Sequence, residues 1–285
     1  MNINWYPGHM KKTKESIKKS LSMVDIVYEL IDARIPYSSR NPEIDNIVGD
    51  KPRILVMAKK DLANNMANNL WEKYFENKGI KSVAVNSVNN DGIKDIINMS
   101  YKLTEEKMKA LEKKGIKNRP IRAIIIGIPN VGKSTLINSL SKRKGAKVGN
   151  RPGITKANQW IKIKGNLELL DTPGILWPKF EDKDIALNLA FTGAIKDELL
   201  DTETLALELV KKLNSMSTEI LSSRYGVSTD GKSPYDIIIE IGHKRGCVVK
   251  GGEIDFLKIS NILLDEFRKG QLGKITLELP PENLK

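Results

Sequence analysis

The chain has 285 residues, 47 Lys and Arg against 35 Asp and Glu, one cysteine (Cys247) and two histidines (His9 and His243). That length permits two modest domains with real cores, the lone cysteine excludes an internal disulfide, and two histidines argue against a Cys/His zinc site. No apolar run reaches the ~18–20 residues of a membrane span, and the polar, basic "MNINWYPGHMKKTK" has no apolar signal-peptide core. A soluble cytoplasmic chain with no membrane association is therefore expected.

The positive charge is unevenly placed. Residues 1–177 carry 32 basic against 17 acidic side chains, a balance of +15, and residues 178–285 carry 15 against 18, a balance of −3. The basic clusters "KKTKESIKK" (11–19), "KGIKNRPIR" (114–122) and "KRKGAKVGNR" (142–151) suit either a solvated surface or a polyanion whose counterions are released on binding.

In chain order, residues 10–22 predict a basic helix. "VDIVYELIDAR" (24–34) predicts a buried strand ending near Asp32 and Arg34, and "RILVMA" (53–58) a second. A helix near 64–78 leads to "SVAVNS" (82–87), a third strand, and a long charged helix over 92–114 stops at "GIKNRP". "IRAIIIG" (121–127) is a β-branched strand, followed by a helix from Lys133 to about Leu140. "QWIKIK" (159–164) and "LELLDT" (167–172) read as an antiparallel pair about Gly165-Asn166. Alternating strands and helices argue for a parallel or mixed sheet covered on both faces. Beyond "DTPGILWP" (171–178) the apolar spacing turns helical over 182–194, 202–222, 233–242 and 254–269, with "GKITLEL" (273–279) as an extended tail. Two domains are expected: 1–178, an α/β domain with a mixed sheet and a basic N-terminal helix, and 179–285, mostly α-helical.

The strongest local signal is "IIIGIPNVGKST", a strand, a glycine-rich turn and a helix start with the Gly127-x4-Gly132-Lys133-Ser134 spacing of a P-loop. Such a loop wraps backbone N–H groups around phosphates, and the helix adds its positive end. Asn130, Val131, Gly132, Lys133, Ser134 and Thr135 would hold a nucleotide's phosphates, Lys133 by charge and Ser134 also through Mg²⁺. In "DTPG" (171–174) Asp171 can hold a Mg²⁺-bound water and the Gly174 N–H can sense a γ-phosphate. Thr155, in "RPGIT", could complete the metal shell, although it equally reads as an ordinary loop threonine.

Upstream, "AKKD" (58–61) and "VNS" (85–87) match the two base-side loops of a GTPase. Asp61 would accept from guanine N1–H and N2–H₂, and Lys59 would lay its stem along the base. Lys60 and Asn86 lie in the same two loops, and Ser87 would tighten the second. Ala58 stands where the pattern usually has Asn, so one side-chain amide worth ~0.5–1.5 kcal/mol is missing. An ATP-using P-loop enzyme remains an alternative, as does an RNA-binding scaffold in which nucleotide is structural. The motifs run base, base, phosphate, switch, switch, which is a circular permutation and requires the old termini to lie close together.

This order, with "WYPGHMKK" before it and "RPGITK", "DTPGILWP", "HKRGCVVKGGEIDFLK" and "GQLGKITLELP" after, resembles the ribosome biogenesis GTPase A (YlqF) family over nearly the whole chain. The resemblance implies a circularly permuted P-loop GTPase domain joined to a helical RNA-binding domain. It also implies GTP and GDP as ligands, and action late in assembly of the large ribosomal subunit through contacts with rRNA and ribosomal proteins. A monomer is expected.

The position after the DxxG turn, which often holds a water-orienting Gln, is Ile175, so that group must come from elsewhere. Read as a residue, His9 either starts the basic helix or orients water at neutral pH; the resemblance implies catalysis. Asn130 matches P-loops whose Asn helps hold K⁺ beside the phosphates, and Arg151 is a rival source of that charge. Trp5 and Tyr6 suit base stacking or anchoring of the terminus, and His243-Lys244-Arg245 suits phosphate contact or a solvated helix end.

Overall fold

The computed structural model describes residues 10–141, 160–170, 174 and 182–281. They divide into two compact units: one holds the described residues from 10 to 174 together with the tail from Thr276, and the other runs from 182 to Ile275. The tail, expected with the helical part, belongs instead to the unit that holds the sheet.

The first unit is built on a six-stranded sheet. In chain order its elements are α1 (Met10–Leu21), β1 (Ile26–Asp32), α2 (Ile44–Val48), β2 (Arg53–Ala58), α3 (Asn65–Asn77), β3 (Lys81–Val85), α4 (Ile93–Lys113), β4 (Ile121–Gly127), α5 (Lys133–Leu140), β5 (Trp160–Ile163) and β6 (Leu167–Leu170). The strand order is β3-β2-β1-β4-β6-β5. All neighbours are parallel except β5 and β6, which pair antiparallel as the turn at Gly165 predicts. Gly165 takes a φ of 74°, and a Cβ there would meet the Tyr101 hydroxyl at 2.7 Å.

Strands β1, β2 and β4 are buried almost throughout because helices cover both faces. On one face Ile17 and Leu21 of α1 and Ile44, Ile47 and Val48 of α2 pack on Val27, Ile124, Ile126 and Leu170. Trp71 and Phe75 of α3 pack on Ile31, Leu55, Met57 and Ala84. Glu29 sits on this apolar face, paired with Arg40 at 3.0 Å and Arg53 at 3.1 Å; burial still pushes its carboxyl above the ordinary range. On the other face the buried Tyr28 hydroxyl meets Ser100 Oγ of α4 at 2.7 Å. Helix α4 spans the distance that the permutation demands, carrying the chain from β3 back to β4.

Among the described residues the tail makes no strand, yet it is pinned. Leu277 N–H donates to the Arg34 carbonyl at 2.8 Å, Asn64 N–H to Thr276 Oγ1 at 3.0 Å, and Trp71 Nε1–H to the Glu278 carbonyl at 3.0 Å. The Glu278 carboxylate accepts from the N–H groups of Tyr37 at 2.9 Å and Ser38 at 3.0 Å, and from the Ser38 hydroxyl.

The second unit packs α6 (Lys183–Phe191), α7 (Thr202–Met216), α8 (Glu219–Tyr225), α9 (Pro234–Lys244) and α10 (Phe256–Arg268). Its core includes Leu205, Leu209, Leu213, Ile237, Ile241, Ile259, Leu263 and Phe267. Asp182, Asp201, Ser233 and Asp255 cap four helix starts through their side chains. The single helix expected over 202–222 is two: Ser217, extended at φ −164°, ends α7, and its hydroxyl accepts from Glu219 N–H at 3.2 Å to start α8. The apolar positions Leu209, Leu213 and Leu221 keep helical spacing across that break, so periodicity hides it. The buried Glu266 accepts from Arg224 at 2.8 Å, Tyr225 at 3.1 Å and Arg245. Arg245 thus lies in an internal ion pair rather than only at a solvated helix end. No helix among the described residues is long and apolar enough to cross a membrane.

Candidate functional site at the carboxyl rim of the sheet

Parallel register brings the ends of four strands to one rim. Asp32 lies beside Ala58, Ala58 beside Val85, and Leu30 beside Gly127. The loops that leave β4, β1, β2 and β3 therefore emerge side by side, although their order along the chain is different. Ligand sites in open α/β sheets form at this rim.

The glycine-rich turn after β4 takes the shape its composition predicts. Asn130 is left-handed at φ 55°, and Gly132 sits at φ 112° where, among the described residues, only the Ala58 Cβ, 3.8 Å away, is near the position a Cβ would fill. A side chain there would be strained, and the turn leads directly into the amino end of α5, whose N–H groups suit an anion. Lys133 Nζ donates back to the Gly127 and Ile128 carbonyls at 3.0 and 2.7 Å, which holds its ammonium over the turn. Ser134 and Thr135 follow on the first turn of α5. Val131 is buried at 1% exposure, so only its backbone can serve a ligand. Gly174 belongs to the same place: a Cβ on it would fall 2.9 Å from Pro129 and 3.0 Å from Lys133 Nζ.

The base-side loops are tied to this turn. Lys59 is left-handed at φ 62°, a conformation costing a non-glycine residue about 1–3 kcal/mol. Its Nζ donates to Asp32 Oδ2 at 2.9 Å and to the Asn130 carbonyl at 2.7 Å. Residues that sequence analysis assigned to base and phosphate are thus joined by one ammonium group. Burial lowers the Lys59 pKa, against the pull of Asp32. Burial alone would raise the Asp32 pKa, but Arg34 and Lys59 outweigh it and hold the carboxyl far below the ordinary range.

Asp61 stands on a 3₁₀ turn, Lys60–Leu62, at the same rim and is partly exposed. Lys60 pairs with Asp91 at 2.9 Å, which fastens this turn to the loop after β3. In that loop Asn86 and Asp91 exchange two backbone hydrogen bonds of 3.1 Å, and Asn86 Oδ1 accepts from Val88 N–H at 2.9 Å. The Asn86 side chain therefore shapes the loop, with Ser87 half-buried inside it. His9, Arg151, Thr155 and Asp171 lie outside the described residues.

Sequence analysis noted Asp32 and Arg34 only as a strand end. Arg34 grips the Asp32 carboxylate through Nε at 2.9 Å and Nη2 at 2.8 Å, and its backbone N–H adds a third bond of 3.0 Å. Two charged residues closing an apolar strand were the available signal; their partner Lys59 was not readable locally.

A P-loop and two guanine-type base loops converging on one rim, with the base loops first in the chain, define a circularly permuted P-loop GTPase. A family model described as 50S ribosome-binding GTPase matches residues 122–225, starting at the P-loop strand and leaving the base-side loops upstream. Ribosome biogenesis GTPase A of Bacillus licheniformis is 46% identical over 282 residues, covering 99% of this chain and all of its own. Its namesake from Bacillus cereus is also 46% identical, covering 99% of this chain and 95% of its own. The chain belongs to the ribosome biogenesis GTPase A family. The crystal structure of GNP-bound YlqF from T. maritima superposes with a TM-score of 0.65 at 25% identity, covering 96% of this chain and 100% of its own. The GDP-bound form of that protein superposes at 0.64.

Proposed function

We propose that the protein binds GTP and GDP with Mg²⁺, hydrolyses GTP, and uses its nucleotide state to control association with the precursor of the large ribosomal subunit. The observation that carries this is the 2.7 Å bond from Lys59 to Asn130, which joins the base-side and phosphate-side loops. In this reading Asp61 accepts from guanine N1–H and N2–H₂, while Lys59 supports the base. Lys133 exchanges its two carbonyl partners for β- and γ-phosphate oxygens, and Gly174 N–H meets the γ-phosphate from its place beside Pro129.

The residues present fit a magnesium nucleotide: among the described residues no backbone crowds Gly132, and Ser134 brings a hydroxyl to the start of α5. Ser134 with Thr155, and Asp171 through a water, would hold Mg²⁺, which neutralises phosphate charge. Asn130 would hold K⁺, and His9 would orient the attacking water, with Arg151 as the rival charge. The basic excess of residues 1–177 favours contact with rRNA phosphates, and the helical unit serves as the second ribosome-facing surface. The protein acts as a cytoplasmic monomer that also meets ribosomal proteins.

The test is GTP hydrolysis with and without large ribosomal subunits, first in K⁺ and then in Na⁺, beside binding of GTP and ATP. Expected are slow hydrolysis alone, stimulation by particles, a higher rate in K⁺ and preference for GTP. An unchanged rate with particles would overturn the docking claim, and equal affinity for ATP would overturn the role of Asp61.

A further inference from the structure

We infer that Asp32 is a positioning residue for the guanine nucleotide, acting through Lys59. The inference rests on the base-side reading above. It adds a residue that touches neither base nor phosphate but sets where the lysine between them stands.

The argument begins with the surroundings of the carboxylate. Asp32 is 1% exposed, and four donors face it: Arg34 N–H, Arg34 Nε, Arg34 Nη2 and Lys59 Nζ. A carboxylate only accepts, so it satisfies all four, two on each oxygen; an asparagine would turn its NH₂ against two of them. The site is therefore built for a charge. Its oxygen Oδ2 is shared between Arg34 and Lys59, and the rigid fork of Arg34 fixes the carboxylate plane. The backbone is fixed as well, because Asp32 N–H donates to Ser39 Oγ at 2.9 Å and Ser39 Oγ–H to the Ile35 carbonyl at 2.7 Å. The tail adds its bond to the Arg34 carbonyl.

Lys59 needs such an anchor. Its left-handed backbone is costly and its side chain is flexible, so an ammonium in one position requires partners on more than one side. Asp32 supplies one side and the Asn130 carbonyl the other. Ala58 lacks the amide that the usual base-binding pattern would add between these loops, which increases the share carried by Lys59.

The experiment measures equilibrium binding and release of fluorescent GDP and ADP by the full chain, with thermal melting of every variant. Asp32→Asn is expected to weaken GDP binding roughly tenfold, the scale of one charge-assisted hydrogen bond, mainly through faster release. Asp32→Glu keeps the charge for Arg34 but moves the carboxylate; it is expected to weaken binding at least severalfold, and it decides the matter if Asp32→Asn does not fold. In a Lys59→Met background, either change at Asp32 is expected to add less than about twofold, because the residue through which it acts is gone. A purely structural Asp32 would lower the melting temperature and weaken binding by the same factor in both backgrounds, and that result would overturn the inference, as would wild-type affinity in both variants. Equal binding of GDP and ADP by the unaltered protein would overturn only the base-side reading, since the coupling to Lys59 is read from ratios between variants.

Discussion

Gly174 lies against Pro129 so closely that a Cβ on the glycine would stand 2.9 Å from the proline Cα and backbone nitrogen. Gly174 and the glycine-rich turn therefore pack against one another, with no room for a side chain between them. Gly174→Ala forces the two backbones apart. Affinity for a non-hydrolysable GTP analogue is expected to fall about tenfold more than affinity for GDP, the scale of one lost N–H bond to a γ-phosphate plus the displacement. Parallel titrations of the two nucleotides check this; equal losses would show a distorted turn and no γ-phosphate sensing.

The first unit has an acid-sensitive fastening away from the site. Asp25, just before β1, accepts from Arg119 Nη1 at 2.7 Å and Arg122 N–H at 2.8 Å, and pairs with Lys107 at 2.6 Å. Burial alone would raise its pKa, but these partners outweigh it and hold the carboxyl below the ordinary range. A carboxylate depressed in the fold contributes its full stabilisation above the unfolded value, ~3.9, and loses it as the pH falls toward the folded value. Thermal melting across about pH 3 to 7 is expected to fall at the acid end, with this group contributing up to ~1.4 kcal/mol per pH unit. Asp25→Asn should melt lower at neutral pH and lose less on acidification. An unchanged acid slope would show that Asp25 carries none of it.

The tail predicts a stability effect without a catalytic one. Glu278 satisfies the backbone N–H groups of Tyr37 and Ser38. Glu278→Ala removes the acceptor of the part-buried Ser38 N–H and of the exposed Tyr37 N–H, at a cost of about 1–3 kcal/mol. The urea midpoint should drop while the slope of the transition stays constant, since the exposed surface changes little. A midpoint equal to wild type would mean that water replaces the carboxylate without loss.

Much of the candidate site is legible as local chemistry. The P-loop turn needs glycines and a lysine at fixed spacing, so Gly127, Gly132, Lys133 and Ser134 announce themselves in one stretch, and the run 121–127 forms the strand expected of it. The Lys59-Lys60-Asp61 run and Asn86-Ser87 were readable for the same reason. Helix α2 passed unnoticed because five residues are too few to show a period. The division between α7 and α8 was hidden because apolar spacing continues through it.

What the sequence determined is the set of short-range signals: strands 53–58 and 121–127, the helix bridging the permutation, and the order of nucleotide motifs. Each depends on backbone preference and side-chain type within a few residues. What only the tertiary structure decided is which charges meet. Asp32, Lys59 and Asn130 come from three separate strand ends, and Glu278 reaches Ser38 across 240 residues of chain. Parallel register and burial select such partners, and neither is written in the spacing of any one segment.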